Sequence, residues 1–478
     1  MFVVELYPIV PLLRKIVKRV CNLFDGVFIY YCMAFVDRLK KVHFVGIGGV
    51  GMSSLASHLL HLGIAVSGSD QSGEGCLHLA KLGAKICIGH RASNLDADTQ
   101  LVVYSQAIAL DNAEMGKALA LGIPVVSREQ LLGEIFNGFD RRVAVCGTHG
   151  KTTVTALIDY LLRTLGVDHT AFIGGFASDT NSNYTHGKGL VVAEACEYKN
   201  SFLSLFPTLA VALNIDYDHP DFFCNLAHLH DSFERFFAKL PPKGLLLAHN
   251  SLPKHILQGK NYVTFGNQDC YYHSQNVVAT PSGFDFDFCK GKQRFATSIA
   301  LKGRHNVDNA VVAVATLDCL GFGVKQACDA LPKFAGVGRR WKEHHLDNIT
   351  IVEDYAHHPT EIFASIQTAL QHKTSGRVLV VFQPHTYSRT QALWQDFCTC
   401  FSGADALAML PIFPAREQPI DGVTAQKLLH QVVGVRQKVH LDSLVDATNW
   451  VRLTACAGDT VLVLGAGDIN KICQMVKN

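Results

Sequence analysis

VAVCGTHGKTTVTALIDYLL, residues 143–162, decides how the chain reads. Val143–Cys146 is an apolar run of strand length, and beyond Lys151 the apolar positions recur at helical spacing. A strand that breaks into a glycine loop and restarts as a helix aims backbone N–H groups and a helix N-terminus at one point. That point attracts anions. Gly147, Thr148, His149, Gly150, Lys151, Thr152 and Thr153 form the loop and the first turn. The full phosphate-loop pattern wants a glycine where Val145 stands. The shortened loop keeps the mechanics: Lys151 can reach β and γ phosphates, and the Thr152 hydroxyl can ligate magnesium. ATP and Mg2+ are therefore the expected ligands.

Two further strands run into acids downstream. GLVVAEACEY (189–198) reaches Glu194 and Glu197, and TLAVALNIDYDHPDFF (208–223) reaches Asn214, Asp216, Asp218 and His219. Ligands of parallel sheets bind beyond the carboxyl ends of the strands, so Glu194 and His219 are expected beside the loop, as metal ligands or as strand-end caps. In ALKGRHNVDNAVVAVATLDCLG (300–321), Gly303 breaks the chain before a helix. There His305 could stack on a purine and Asn306 and Asn309 bond its edge, or an Asn could cap the helix.

Upstream, KKVHFVGIGGVGMSSLASHLLHLGIAVSGSD (40–70) places Gly46, Gly48 and Gly51 in a G-x-G-x-x-G turn between strand and helix, with Asp70 at the end of the next strand. That pattern suits NAD, FAD or a nucleotide sugar equally. KICIGH, LVVYSQAI and IPVVSREQLLGEIF add βα units up to about residue 139. Downstream of LPKFAGVGRRW (331–341), strands and helices alternate again in ITIVEDYAHHPTEIFASIQTAL, RVLVVFQPHTYSRTQALWQDF, ALAMLPIF and TVLVLGAGDI. The expectation is an α/β protein of three domains: Rossmann-like over 41–139, a P-loop-type ATPase over 140–336, and Rossmann-like over 337–478.

Composition fits this division. The 478 residues are 48% hydrophobic, enough for several cores, and the formal charge of +2 argues against nucleic-acid binding. The 15 cysteines lack framework spacing and fit a reducing cytosol. Residues 1–40 form an N-terminal extension. Glu5 precedes any apolar core of a signal peptide, and charges interrupt every run long enough to span a membrane. An early translation start with Met33 as the true one, or an interfacial amphipathic anchor, are the two readings.

Nine stretches in one order resemble the Mur ligase family: HFVGIGGVGM, SGSD, GTHGKTT, EACEY, NIDYDHPDFF, GRHNVDNA, DYAHHPTEI, FQPHTYSRT and GAGDI. DYAHHPTE with FQPH resembles the branch that adds L-alanine, or a relative that recycles a preformed tripeptide; VGIGGVGM favours the former. The resemblance implies an ATP-dependent ligase of peptidoglycan precursor synthesis in the bacterial cytoplasm. It would join L-alanine to the carboxylate of UDP-N-acetylmuramic acid through an acyl phosphate. By the same resemblance, Gly48, Gly49, Gly51, Met52, Ser53, Asp70 and Ser105 hold the UDP-sugar. His305, Asn306, Asn309 and Asp354 hold adenine and ribose, and Arg340 reaches the γ-phosphate. Thr152, Glu194 and His219 hold magnesium, and His357 and Arg389 stand near the amino acid, with Lys151 on the phosphates. A monomer or dimer, with no nucleic acid and no stable membrane insertion, is expected. The chain departs from the family at Thr386, where many members carry Arg, and at Cys196 and Lys199, where acids are commoner. An inactive Mur-like binding module and a nicotinamide oxidoreductase are the rival readings. Intact Lys151, Thr152, Glu194, His219, Asp354 and His357 oppose the first, and the second leaves eight motifs unexplained.

Overall fold

The computed structural model describes residues 36, 38–109, 111–373 and 375–477. The expectations about Met33 and a membrane-surface anchor fall outside the described residues. Among those described, no helix is long and apolar enough to cross a membrane. The chain divides after Gly138 into two compact units.

The first unit is a parallel sheet of β1 (Lys41–Val45), β2 (Ala65–Asp70), β3 (Lys85–Ile88), β4 (Leu101–Tyr104) and β5 (Val125–Ser127), in the order β3-β2-β1-β4-β5. The order reverses at β1, and the helix Val50–His61 starts just beyond the end of that strand. A reversal of this kind opens a crevice at the carboxyl edge. Val42, Phe44 and Val45 of β1 are fully buried, as a central parallel strand requires.

One polar residue breaks that apolar run. His43 is fully buried, and its ring meets Ser67 Oγ at 2.8 Å and Glu114 Oε2 at 3.1 Å. Glu114 also accepts from Ser69 Oγ, Asn94 Nδ2 and Arg91 N–H at 2.6–3.0 Å. Burial pushes its carboxyl up, but these hydrogen bonds, with that of His43, outweigh burial and hold it at about 2.

The second unit holds two sheets. Ten strands form the larger: β6 (Arg142–Cys146), β7 (Thr170–Ala177), β8 (Ser182–Thr185), β9 (Val191–Ala195), β10 (Leu209–Ala212), β11 (Leu245–His249), β12 (Tyr262–Gly266), β13 (Tyr272–Thr280), β14 (Gly283–Lys290) and β15 (Gln293–Ile299). Their order is β15-β14-β13-β12-β11-β10-β6-β9-β7-β8. β6 lies between β10 and β9, parallel to both, so the carboxyl ends of three strands meet at the glycine loop. The helices Lys151–Thr164 and His305–Cys319 pack on each other, and their apolar residues belong to one core. The antiparallel β13–β14–β15 meander was not expected from the sequence, although its two-residue connections, Pro281-Ser282 and Gly291-Lys292, are readable hairpin turns.

The smaller sheet contains β16 (Lys342–Leu346), β17 (Ile349–Asp354), β18 (Val378–Phe382), β19 (Ala406–Met409), β20 (Gln437–His440) and β21 (Thr460–Leu464), in the order β16-β17-β21-β18-β19-β20. All pairings are parallel except β16 with β17, which turn on Asp347 at φ 49°. The predicted three-part α/β architecture is therefore present.

Glu114→Ala should leave His43, Ser69, Asn94 and the Arg91 N–H without their shared acceptor. We expect a loss of about 3–5 kcal/mol in the stability of the first unit, measured by urea denaturation. Glu114→Gln, which keeps one acceptor oxygen, should lose less.

Candidate active site

The loop after β6 is built by two glycines. Gly147 has φ 136° and Gly150 φ 84°, and a Cβ on Gly150 would meet Asn309 Oδ1 at 3.0 Å. These conformations cost other residues strain, so the loop can wind this tightly only with glycine. The helix begins at Lys151. The loop is stitched to the segment after β10: His149 N–H donates to Asn214 Oδ1 at 2.7 Å, and the Thr148 hydroxyl donates to the Asp216 carbonyl at 2.9 Å.

Lys151 folds back over its own loop. Its ammonium donates to the Gly147 and Thr148 carbonyls and pairs with Glu197 at 3.0 Å. Burial would lower its pKa, yet the Glu197 carboxylate overcomes this and raises it, so the charge persists at any working pH. Sequence reasoning named Glu197 as a strand-end acid but gave it no role as the counter-ion of the loop lysine.

Thr152 is buried and its hydroxyl bonds Glu194. Glu194 also accepts from the Gly174 N–H at 2.6 Å. Burial raises the Glu194 pKa. A hydroxyl and a half-buried carboxylate are hard oxygen donors, and they fit magnesium. His219, also expected on magnesium, has acids and a tyrosine ring around it. Its ring lies 4.5 Å from that of Tyr198, and its Nε2 stands 3.9 Å from Glu197 and 3.7 Å from Asp218. Among the described residues, no three-ligand cluster of His, Cys, Asp and Glu includes Glu194 or His219.

A cavity of about 1150 Å³ opens in front of the loop. His149, Gly150, Thr153, His305, Asn306, Asn309, Arg340 and Asp354 line it, so most of the expected ATP contacts share one space. Asn306 does not cap its helix, because the helix already starts at His305. Its side chain instead donates to the Lys302 carbonyl at 2.8 Å and accepts from Asn309 Nδ2 at 2.9 Å. Asp354, the last residue of β17, accepts from Ser365 Oγ at 2.8 Å, and burial pushes its carboxyl up. The Arg340 guanidinium lies 5.1 Å from the Tyr355 ring centre and 4.0 Å from Glu361.

His357 and Arg389 lie outside this cavity lining. Burial, reinforced by the charge of Arg389, pushes the His357 imidazole down to about 3, so it is neutral at neutral pH. Arg389 is buried in a two-pronged pair with Asp218, at 2.7 and 3.2 Å. Thr386, at φ 66°, caps the helix Tyr387–Ala392 through its bond with Arg389 N–H.

In the first unit, Gly49 is the N-cap of the helix Val50–His61. Asp70 accepts from Gly48 N–H at 2.9 Å and from Ser72 N–H at 3.2 Å, so its carboxylate braces the glycine turn. Gly51 sits against Arg128, where a Cβ would come within 2.9 Å. Met52 and Ser53 are buried, and Ser105 Oγ accepts from Ala107 N–H.

Three family models match in succession: the Mur ligase family catalytic domain over 41–140, the Mur ligase middle domain over 145–317, and the Mur ligase glutamate ligase domain over 339–467. The chain belongs to the Mur ligase family. A UDP-N-acetylmuramate–L-alanine ligase of Clostridium acetobutylicum is 38% identical over 451 residues, covering 92% of this chain and 98% of that one. The crystal structure of a UDP-N-acetylmuramate–alanine ligase from Thermotoga maritima superimposes with a TM-score of 0.77 at 28% identity, over 91% of this chain and 98% of that one. A murein peptide ligase from Psychrobacter arcticus shares the fold with a TM-score of 0.69 at 24% identity, over 91% and 98% of the two chains.

Within this Mur ligase, charged contacts tie the larger sheet to the smaller. His149 of the glycine loop meets Asp216 at 3.2 Å and Glu361 at 3.1 Å. Asp216 also accepts from the Thr360 hydroxyl at 2.8 Å. Burial works against the charged imidazole, but the two carboxylates outweigh it and raise His149 to about 9. Lys199 points its ammonium at the Tyr198 ring, 5.3 Å from its centre.

The His149 contribution to stability is complete below its unfolded value near 6.5 and is lost as pH rises through about 9. The difference in thermal midpoint between wild type and His149→Gln should therefore be largest near pH 6, shrink between about pH 6.5 and 9, and be nearly gone above that. A difference that grows with pH would contradict this. Separately, Asp218→Asn leaves the buried Arg389 without a counter-ion and should cost about 3–5 kcal/mol in chemical denaturation.

Proposed function

We propose that this Mur ligase joins L-alanine to the carboxylate of UDP-N-acetylmuramic acid, with ATP as energy source, in the bacterial cytoplasm. The observation that carries the reading is identity of 38% to an L-alanine-adding enzyme over nearly its whole length. The cavity in front of the glycine loop supports it, with a base-stacking histidine, two amides, an arginine and an acid around one space.

A carboxylate is inert towards an amine until its oxygen becomes a good leaving group. Transfer of the γ-phosphoryl group makes an acyl phosphate; the amine of L-alanine adds to the acyl carbon, and the tetrahedral intermediate expels phosphate. Bringing a triphosphate up to a carboxylate requires cations fixed in advance. Lys151, with its charge secured by Glu197, and Arg340 supply them. Thr152 and Glu194 would hold magnesium, which supplies further screening of the phosphate charge. His305 stacks on the adenine, Asn306 and Asn309 bond its edge, and Asp354 receives the ribose hydroxyls. His357, held neutral, offers a lone pair near the amine. In the first unit the amides at the start of the helix Val50–His61 receive the UDP pyrophosphate.

Phosphate release from ATP should require UDP-N-acetylmuramic acid, magnesium and L-alanine together. Lys151→Ala should lower it at least about 100-fold with the circular dichroism unchanged. Release with L-alanyl-γ-D-glutamyl-diaminopimelate but not with L-alanine would move the protein to the tripeptide-recycling branch.

A further inference from the structure

We infer that His149, Asp216 and His358 form a binding site for a divalent transition metal, with zinc the best match, separate from the magnesium position at Thr152 and Glu194. One ligand atom from each of the three lies within 4.8 Å of the other two. His149 Nε2 stands 3.2 Å from Asp216 Oδ2, and His358 Nδ1 stands 3.7 Å from the same oxygen. Zinc–ligand bonds of about 2.0–2.1 Å in a tetrahedron place neighbouring ligand atoms about 3.3–3.4 Å apart, close to both histidine–aspartate separations, and the two imidazole nitrogens, within 4.8 Å of each other, close onto the metal as it binds.

The outer contacts point the same way. A histidine that binds metal through one nitrogen normally donates its other N–H to a carboxylate or a backbone carbonyl. His149 has Glu361 Oε1 at 3.1 Å from its far nitrogen, Nδ1. His358 has the Tyr217 carbonyl at 3.2 Å from its far nitrogen, Nε2. Both rings are thus oriented with the near nitrogen facing Asp216. Without metal, a proton on His149 Nε2 bridges to Asp216, and Thr360 donates its hydroxyl to Asp216 and its N–H, at 3.3 Å, to His358 Nδ1. Metal binding replaces that bridging proton, which leaves to solvent, and takes the His358 Nδ1 lone pair from the Thr360 N–H. A dication beside the carboxylates of Asp216 and Glu361 is charge-balanced. Two imidazoles with one carboxylate favour zinc, cobalt or nickel over magnesium. His149 and Asp216 line the cavity, so a water or phosphate oxygen can complete the coordination from that side.

The second cluster of this kind among the described residues, His344, Glu353 and Cys473, is the natural control. The Lys477 ammonium lies 3.1 Å from His344 Nδ1 and the Arg339 guanidinium 3.6 Å from Glu353, so that cluster already holds cations.

The test is equilibrium dialysis of the full chain against micromolar zinc in millimolar magnesium, with the same measurement on His149→Gln, His358→Gln and Cys473→Ser. We expect one zinc retained by the wild type and by Cys473→Ser, and affinity at least about tenfold weaker in both histidine variants. Cobalt added to the wild-type protein supplies a readout that needs no variant: visible bands without thiolate-to-metal charge transfer in the near ultraviolet. Failure to retain zinc, retention unchanged in both histidine variants, loss in Cys473→Ser, or a thiolate band would each overturn the site.

Discussion

Two aspartates, Asp216 and Asp218, follow the end of β10; the first is part-exposed, the second buried, and each is held by a partner from another part of the chain. Asp216 meets His149 and Thr360, and Asp218 meets Arg389. His149 belongs to the glycine loop, whereas Thr360 and Arg389 belong to the part of the chain built on the smaller sheet. Burying a carboxylate costs several kcal/mol unless a partner is fixed opposite it. The same constraint explains why Asp216 is held at about 2, despite burial that works the other way, while His149 is raised.

The electrostatic environment differs sharply over short distances. Burial pushes the half-buried Glu194 and Asp354 carboxyls up, whereas Glu361 is pulled well below the usual carboxylate range by the hydrogen bond and charge of His149 and by the charge of Arg340, in spite of its partial burial. His149 is charged and His357 is neutral, although Glu361 touches both. A site that must bring a triphosphate and a carboxylate together benefits from carboxyl groups that await a cation and from an imidazole that keeps its lone pair.

Much of the fold was legible because parallel α/β units write themselves locally. Apolar runs such as Val143–Cys146 and Val378–Phe382 became central strands, and the helices after them begin where glycine or polar residues stop the run. Most of the expected ATP contacts were legible for the same reason: residues at strand ends and helix starts face the same edge. The β13–β15 meander was less legible because its strands carry polar residues on an exposed face. Asn306, read as a contact or a cap, became an interior residue of the helix, one position past its start.

The amino-acid sequence alone determined the order of elements, the glycine loop with Lys151 at its end, and membership of a recognisable family, because these depend on short-range pattern and backbone sterics. Only the tertiary structure decided which charge faces which: Glu197 on Lys151, Glu114 on His43, Asp218 on Arg389, and His149 between Asp216 and Glu361. These partners lie from 46 to 212 positions apart in the chain. No local propensity links them. They meet because the fold brings distant elements together, strand ends at the glycine loop and the helix Ala113–Ala120 over β1, and they stay because an unpaired charge there would have to return to water.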